Sequence, residues 1–188
     1  QIIQYLKTRA NMIQVARTVA WIYCDYRDSS THSVLLFIAS LLKQILQNTR
    51  PLPSSVKDLY HSHGKGKSSI TLVEARELLK NIVAVQERCF VVVDALDECS
   101  DEIREQLVNE LVSFSPSISL LVTSRPVLSI ESMFREATTI PIVPNENDLK
   151  IYIDRRLESE TKLHKIVQTD LLLQQEIRST LIAKNQGM

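Results

Sequence analysis

Glycine is scarce in this chain: three residues, Gly64, Gly66 and Gly187, among 188. A loop that turns backbone N–H groups toward a phosphate in the pattern GxxxxGKS or GxxxxGKT needs a glycine five positions before its Gly-Lys step. The nearest candidate, Gly64 to Ser68, reads GKGKS, and the position that must be glycine is His61. The segment before it, Pro51 to His63, is polar and interrupted by Pro51 and Pro53, so no strand is expected to lead into it and GKGKS reads as a solvated basic loop. Cysteine is equally sparse. Cys24, Cys89 and Cys99 have no metal-ligand spacing and make no disulfide framework, so they read as reduced packing residues of a cytoplasmic protein. Excess charge of either sign is missing: Lys plus Arg and Asp plus Glu stand at 22 each, which leaves no bulk field for nucleic acid or an anionic membrane. No apolar run reaches membrane-spanning length and the amino terminus has no signal-peptide pattern.

What the chain does have is concentrated in Cys89 to Glu98, CFVVVDALDE. Phe90 to Val93 suit a parallel strand covered on both faces, and Asp94 falls at its carboxyl end, where open α/β sheets bind ligands. An acid there can hold Mg²⁺ directly or through water, and Asp97 and Glu98, one short turn later, are placed to orient or deprotonate a water. The alternative is a plain strand-to-helix turn in which Asp97 or Ser100 caps the next helix. A second apolar run, Ile118 to Val122, stops at Thr123, Ser124, Arg125 and Pro126. On a neighbouring parallel strand Arg125 would reach the crevice of Asp94 as a cation able to read a terminal phosphate; the alternative is a structural pairing with an acid. His61 and His63 lack a third metal ligand nearby and read as solvated loop histidines.

Together these residues resemble the NACHT class of P-loop NTPases, in its fungal and nephrocystin-like form. The DALDE run matches the extended Walker B of that family, and Leu121 to Pro126, LVTSRP, its sensor 1 segment. Val19 to Asp28, VAWIYCDYRD, followed by a helix ending LLKQIL, is similar to the strand and helix after the first nucleotide-binding helix. Asn145 to Leu157, NENDLKIYIDRRL, is similar to the opening of the helical subdomain. The resemblance implies Asp94 as the Mg²⁺ ligand, Asp97 and Glu98 as the catalytic acids that handle water, and Ser124 and Arg125 as nucleotide-binding residues, Arg125 sensing the γ-phosphate. It implies ATP or GTP as cofactor, and protein partners reached through self-oligomerisation or attached repeat domains. The family's Walker A loop would sit just upstream of Gln1, because Gln1 to Arg9 is similar to the far end of the helix that follows it. The chain is therefore expected to be a truncated piece that binds no nucleotide tightly as written.

The expected architecture is α/β: a P-loop NTPase-like parallel sheet flanked by helices, missing its central first strand, with a helical subdomain behind it. Residues 1–144 are read as a partial nucleotide-binding core and 145–188 as the start of the helical subdomain. Helices are expected over 1–16 and Thr31 to Gln47, with another opened by a Thr71/Glu74 capping box and a further one capped by Ser100. Strands are expected at 19–26, the Walker B run, the sensor run and Thr138 to Val143, with Pro141 arguing for an edge or a strand end in the last. From about Asn147 the chain reads as helical, with stripes at Leu149, Tyr152, Ile153 and Leu157, then Leu172, Leu173, Ile177 and Leu181. Omitting about five buried strand residues forfeits on the order of 10 kcal/mol, comparable to a whole domain's stability. Two function classes remain: a fragment of a nucleotide-switched signalling NTPase, or a degenerate scaffold that keeps the shape without the chemistry.

Overall fold

The computed structural model describes residues 3–5, 8, 17–27, 33–49, 51–65, 67–143 and 145–184. Most of the expected first helix falls outside them. The chain divides into two compact units, Gln1–Arg135 and Glu136–Met188.

The first unit is built on three parallel strands in the order β1 (Arg17–Tyr23), β2 (Arg88–Asp94) and β3 (Ile118–Val122). Tyr23 lies beside Asp94 and Val93 beside Val122, so all three strands end at one rim. This is the mixed α/β arrangement of a parallel sheet flanked by helices. Alternation along the strands sends Ala20 and Ile22 of β1 and Cys89, Val91 and Val93 of β2 into one core, together with the helices over that face.

Helix α1 (Val34–Gln47) begins at Ser33, whose Oγ accepts the Leu36 N–H at 3.2 Å. Val34, Phe37, Ile38, Leu41, Leu42 and Ile45 are buried from it, a stripe worth about 1.5–3 kcal/mol per side chain. It packs on β1 and on helices α3 (Leu72–Ala84) and α4 (Asp101–Ser113). The capping box of α3 is present: Thr71 Oγ1 accepts from Glu74 N–H at 3.3 Å, and Glu74 Oε2 accepts from Thr71 N–H at 2.8 Å. Arg76 ties α3 to Glu110 of α4, donating from Nε at 2.6 Å. Ser100 occupies the N-cap position of α4 in extended conformation without a side-chain capping bond.

A side chain covers the middle of the outer edge of β1 at Trp21. Gln44 of α1 accepts the Trp21 N–H at 3.0 Å and donates to the Trp21 carbonyl at 2.8 Å, so one amide takes the place of a neighbouring strand. Among the described residues no strand pairs with the outer edge of β3.

Several expectations are corrected. Pro51 to His63 is not broken chain: α2 spans Ser54–Ser62 with Pro53 at the N-cap position, where a missing N–H costs nothing. It buries no residue fully and leans on the core only through Val56 and Leu59, too short an apolar stripe to read. A short helix α5 (Leu128–Met133) follows the sensor segment and buries Ile130. Tyr23, at the end of β1, is 59% exposed.

The second unit comprises α6 (Glu146–Ser159), α7 (Thr161–Thr169) and α8 (Leu171–Lys184). Asn145 caps α6, its Oδ1 accepting the Asp148 N–H at 2.8 Å. Ile153, Leu157 and Val167 form a small core with Leu149, Ile177 and Ile182 against it. Tyr152, Leu172 and Leu181 are exposed, and α8 buries none of its residues, contrary to the stripes expected there. Thr138 to Val143, expected as a strand, is not one. A strand needs a partner ladder for its backbone groups; Pro141 removes one donor, and Ile140, Ile142 and Val143 stand exposed.

Candidate functional site at the strand rim

The rim where the strands end gathers the residues that the sequence singles out. β2 releases the chain at Asp94, and Ala95 then takes a left-handed conformation, φ 57°, which turns the backbone sharply into a single 3₁₀ turn, Leu96–Glu98. The turn is pinned to the end of β3. Thr123 N–H donates to the Val93 carbonyl at 2.9 Å and Leu96 N–H to the Thr123 carbonyl at 3.0 Å.

Thr123 is the hinge pin of the site. Its Oγ1 donates to Asp94 Oδ1 at 2.5 Å and accepts the Ala95 N–H at 3.0 Å, which fixes the Asp94 carboxylate and satisfies the strained residue after it. Among the described residues no hydrogen bond reaches Asp94 Oδ2, and the residue is half-buried. A carboxylate with one oxygen held and the other open suits a Mg²⁺ whose remaining ligands are waters and phosphate oxygens. No group of three or more His, Cys, Asp or Glu side chains among the described residues makes a metal cage on its own.

Asp97 and Arg125 meet. Asp97 Oδ1 accepts the Arg125 N–H at 3.0 Å and Oδ2 accepts from Arg125 Nε at 2.5 Å. The Asp97 side chain is 6% exposed and that of Arg125 74%. Burial works to raise the Asp97 pKa, but the two hydrogen bonds and the positive charge of Arg125 outweigh it and hold the carboxyl below its ordinary value. The same contact raises the pKa of Arg125. The structural pairing weighed for Arg125 is therefore present, and it leaves the Nη groups without a hydrogen bond among the described residues. Glu98 Oε2 accepts the Tyr26 N–H at 3.0 Å, which ties the segment after β1 to the acidic turn. Ser124 is exposed and its Oγ donates to the Arg125 carbonyl at 2.6 Å.

Asp94, Asp97, Glu98, Ser124 and Arg125 thus lie on one connected stretch of rim. Thr123 and Tyr26 were missed as participants, although each stands inside or beside a quoted motif. A third missed feature lies away from the rim. His63 is no solvated loop histidine: its Nδ1 lies 2.6 Å from Ser68 Oγ and its Nε2 2.9 Å from Glu74 Oε1, which moors the basic loop to the start of α3.

Compared with protein-family models, residues 1–125 match the model described as Nephrocystin 3, N-terminal. No curated protein and no solved structure matches.

Proposed function

The chain belongs to the nephrocystin 3 N-terminal family, and from that premise we propose that it is part of a NACHT-type signalling NTPase, contributing the metal-binding and sensor rim of a nucleotide-dependent oligomerisation switch. The observation that carries this reading is the joint placement of DALDE and TSRP, cross-tied through Thr123 and through Asp97 with Arg125. In it, Asp94 would hold Mg²⁺, its Oδ1 being fixed by Thr123. Asp97 positions Arg125, whose outer guanidinium nitrogens point the positive charge at a phosphate. Asp97 has both oxygens occupied by Arg125, so Glu98 is the better placed of the two acids to handle water. Bound Mg²⁺ and nucleotide would supply phosphate-charge neutralisation at this rim.

The residues that cradle phosphates are not within this sequence. A charge-assisted hydrogen bond contributes about 1.5–3 kcal/mol, and a phosphate loop supplies several. Subtracting on the order of 5 kcal/mol from the roughly 8 kcal/mol of a micromolar site leaves millimolar affinity or weaker. Equilibrium binding of a fluorescent ATP or GTP analogue with Mg²⁺ is expected to show no saturation in the micromolar range. A low-micromolar constant that disappears in Asp94→Ala would overturn that expectation. The coding sequence immediately upstream of Gln1 tests the switch itself. A strand followed by GxxxxGKS or GxxxxGKT in frame supports it, and its absence turns the reading to the degenerate scaffold.

A further inference from the structure

A serine, an imidazole and a carboxylate stand in line beside the basic loop. His63 occupies the C-cap position of α2, and Gly64 and Lys65 after it both take left-handed conformations, φ 60° and 59°, so the chain doubles back. Lys65 N–H donates to the Tyr60 carbonyl and Lys67 N–H to the His63 carbonyl, each at 3.0 Å. The return brings Ser68 Oγ to 2.6 Å from His63 Nδ1. On the other side of the ring, His63 Nε2 lies 2.9 Å from Glu74 Oε1. Glu74 is held from behind: its Oε2 accepts from Thr71 N–H at 2.8 Å and from Thr71 Oγ1 at 2.7 Å. The His63 side chain is 16% exposed, whereas Ser68 is open to solvent.

The direction of each hydrogen bond follows from what the groups can donate. The Thr71 N–H, then the Thr71 hydroxyl and His63, lower the Glu74 pKa to about 2, so at neutral pH the carboxylate is ionised and only accepts. A neutral His63 therefore carries its proton on Nε2, and Nδ1 presents a lone pair. Ser68 must then donate its O–H to Nδ1, which sets a nucleophile against a base that an acid orients. Two features favour the imidazolium that forms when this proton moves: the Glu74 charge beside Nε2, and the carboxyl end of α2, which His63 caps.

We propose that Ser68, His63 and Glu74 form a site that hydrolyses small esters, with Ser68 as nucleophile, His63 as general base and acid, and Glu74 as the positioning residue. Ser68 Oγ attacks the ester carbonyl carbon; the new C–O bond forms and the hydroxyl proton passes to His63 Nδ1. The bond to the leaving alcohol breaks, and the alcohol oxygen takes the proton from Nδ1. Water then attacks the acyl-serine and gives a proton to Nδ1; the bond to Ser68 breaks, and Oγ recovers that proton. One ester and one water become one carboxylic acid and one alcohol, and the side chains return unchanged. Ser68 faces solvent, so a small acyl donor reaches it without the fold opening. The site uses none of the residues of the strand rim and does not depend on nucleotide binding.

The full chain, at a temperature where circular dichroism shows it folded, is incubated with a fluorophosphonate probe and mapped by mass spectrometry. Expected is a phosphonyl adduct on Ser68, absent from Ser68→Ala and from heat-denatured protein, and formed about a hundredfold more slowly in His63→Gln. Turnover of p-nitrophenyl acetate is expected to fall about tenfold or more in Ser68→Ala, whose exposed side chain leaves the fold intact. Ser69→Ala, one residue on, is expected to match wild type in both assays. In Glu74→Gln the two Thr71 donors claim the amide oxygen and leave the NH₂ facing Nε2. The loop stays moored, but the His63 proton is expected to move to Nδ1, read from its ¹⁵N shifts, and labelling of Ser68 to be lost. An unlabelled Ser68 in the folded chain, equal ester turnover in Ser68→Ala, or acetyl groups on lysines alone overturns the proposal.

Discussion

Thr123 makes two hydrogen bonds through one oxygen, and both partners are half-buried at a point where the backbone is strained. Thr123→Val keeps the shape and removes the hydroxyl, leaving the Ala95 N–H and Asp94 Oδ1 without that partner. A cost of about 1–3 kcal/mol is expected, read as a lower denaturant midpoint at unchanged slope. Asp97 adds a pH dependence. Its folded pKa lies below the unfolded value of about 3.9, so its stabilisation is present above that value and is lost as pH falls through the folded pKa. Asp97→Asn is expected to be less stable than wild type at pH 7, with the gap closing below about pH 4 as the wild-type carboxyl protonates; a gap that persisted undiminished in acid would contradict the sign. At this scale the sequence located the acids and the guanidinium and offered a pairing of Arg125 with an acid, but did not say that the acid is Asp97. Whether Arg125 faces a phosphate or Asp97 depends on the αL turn at Ala95, and alanine carries no signal for a positive φ.

The helices divide by whether they bury a stripe. α1 and α3 were legible because Val34 to Ile45 and Ala75 to Val83 repeat at helical spacing and end in the core. α2 was not, since none of its nine residues is fully buried, only Val56 and Leu59 pack partly against the core, and two prolines precede it. The start of α3 is fixed by its capping box, so Thr71→Ala is expected to cost about 1 kcal/mol, measured by chemical denaturation. Glu74 has a pKa lowered to about 2, first by the Thr71 N–H, then by the Thr71 hydroxyl and by His63. Its contribution is therefore present above the unfolded value of about 4.3 and fades as pH falls toward 2. Thr138 to Val143 failed as a strand for the opposite reason to α2. Its alternation is real, but a strand is made by its neighbour as much as by its own side chains, and sequence alone does not show whether that neighbour is there.

Across the whole molecule, the sheet of three parallel strands carries one substantial core, and the helical unit over Glu136–Met188 carries a small one of Ile153, Leu157 and Val167. Large apolar side chains remain in water, with Leu128 at 84%, Ile142 at 80% and Leu172 at 79% exposure. No helix among the described residues is long and apolar enough to cross a membrane. Each stranded side chain withholds about 1.5–3 kcal/mol that burial would supply. The isolated chain is expected to melt below about 50 °C, at the low end for domains of this size, and a cooperative monomeric transition well above that in calorimetry would contradict it.

The amide of Gln44 gives the sheet a direction of growth. Trp21 already has its outer-edge backbone groups bonded by that amide, whereas among the described residues no strand lies against β3, so a further strand, whether from this polypeptide or a neighbouring molecule, meets less obstruction at the β3 margin. Beside β3 a newcomer would arrive next to Thr123 and Arg125 rather than far from them.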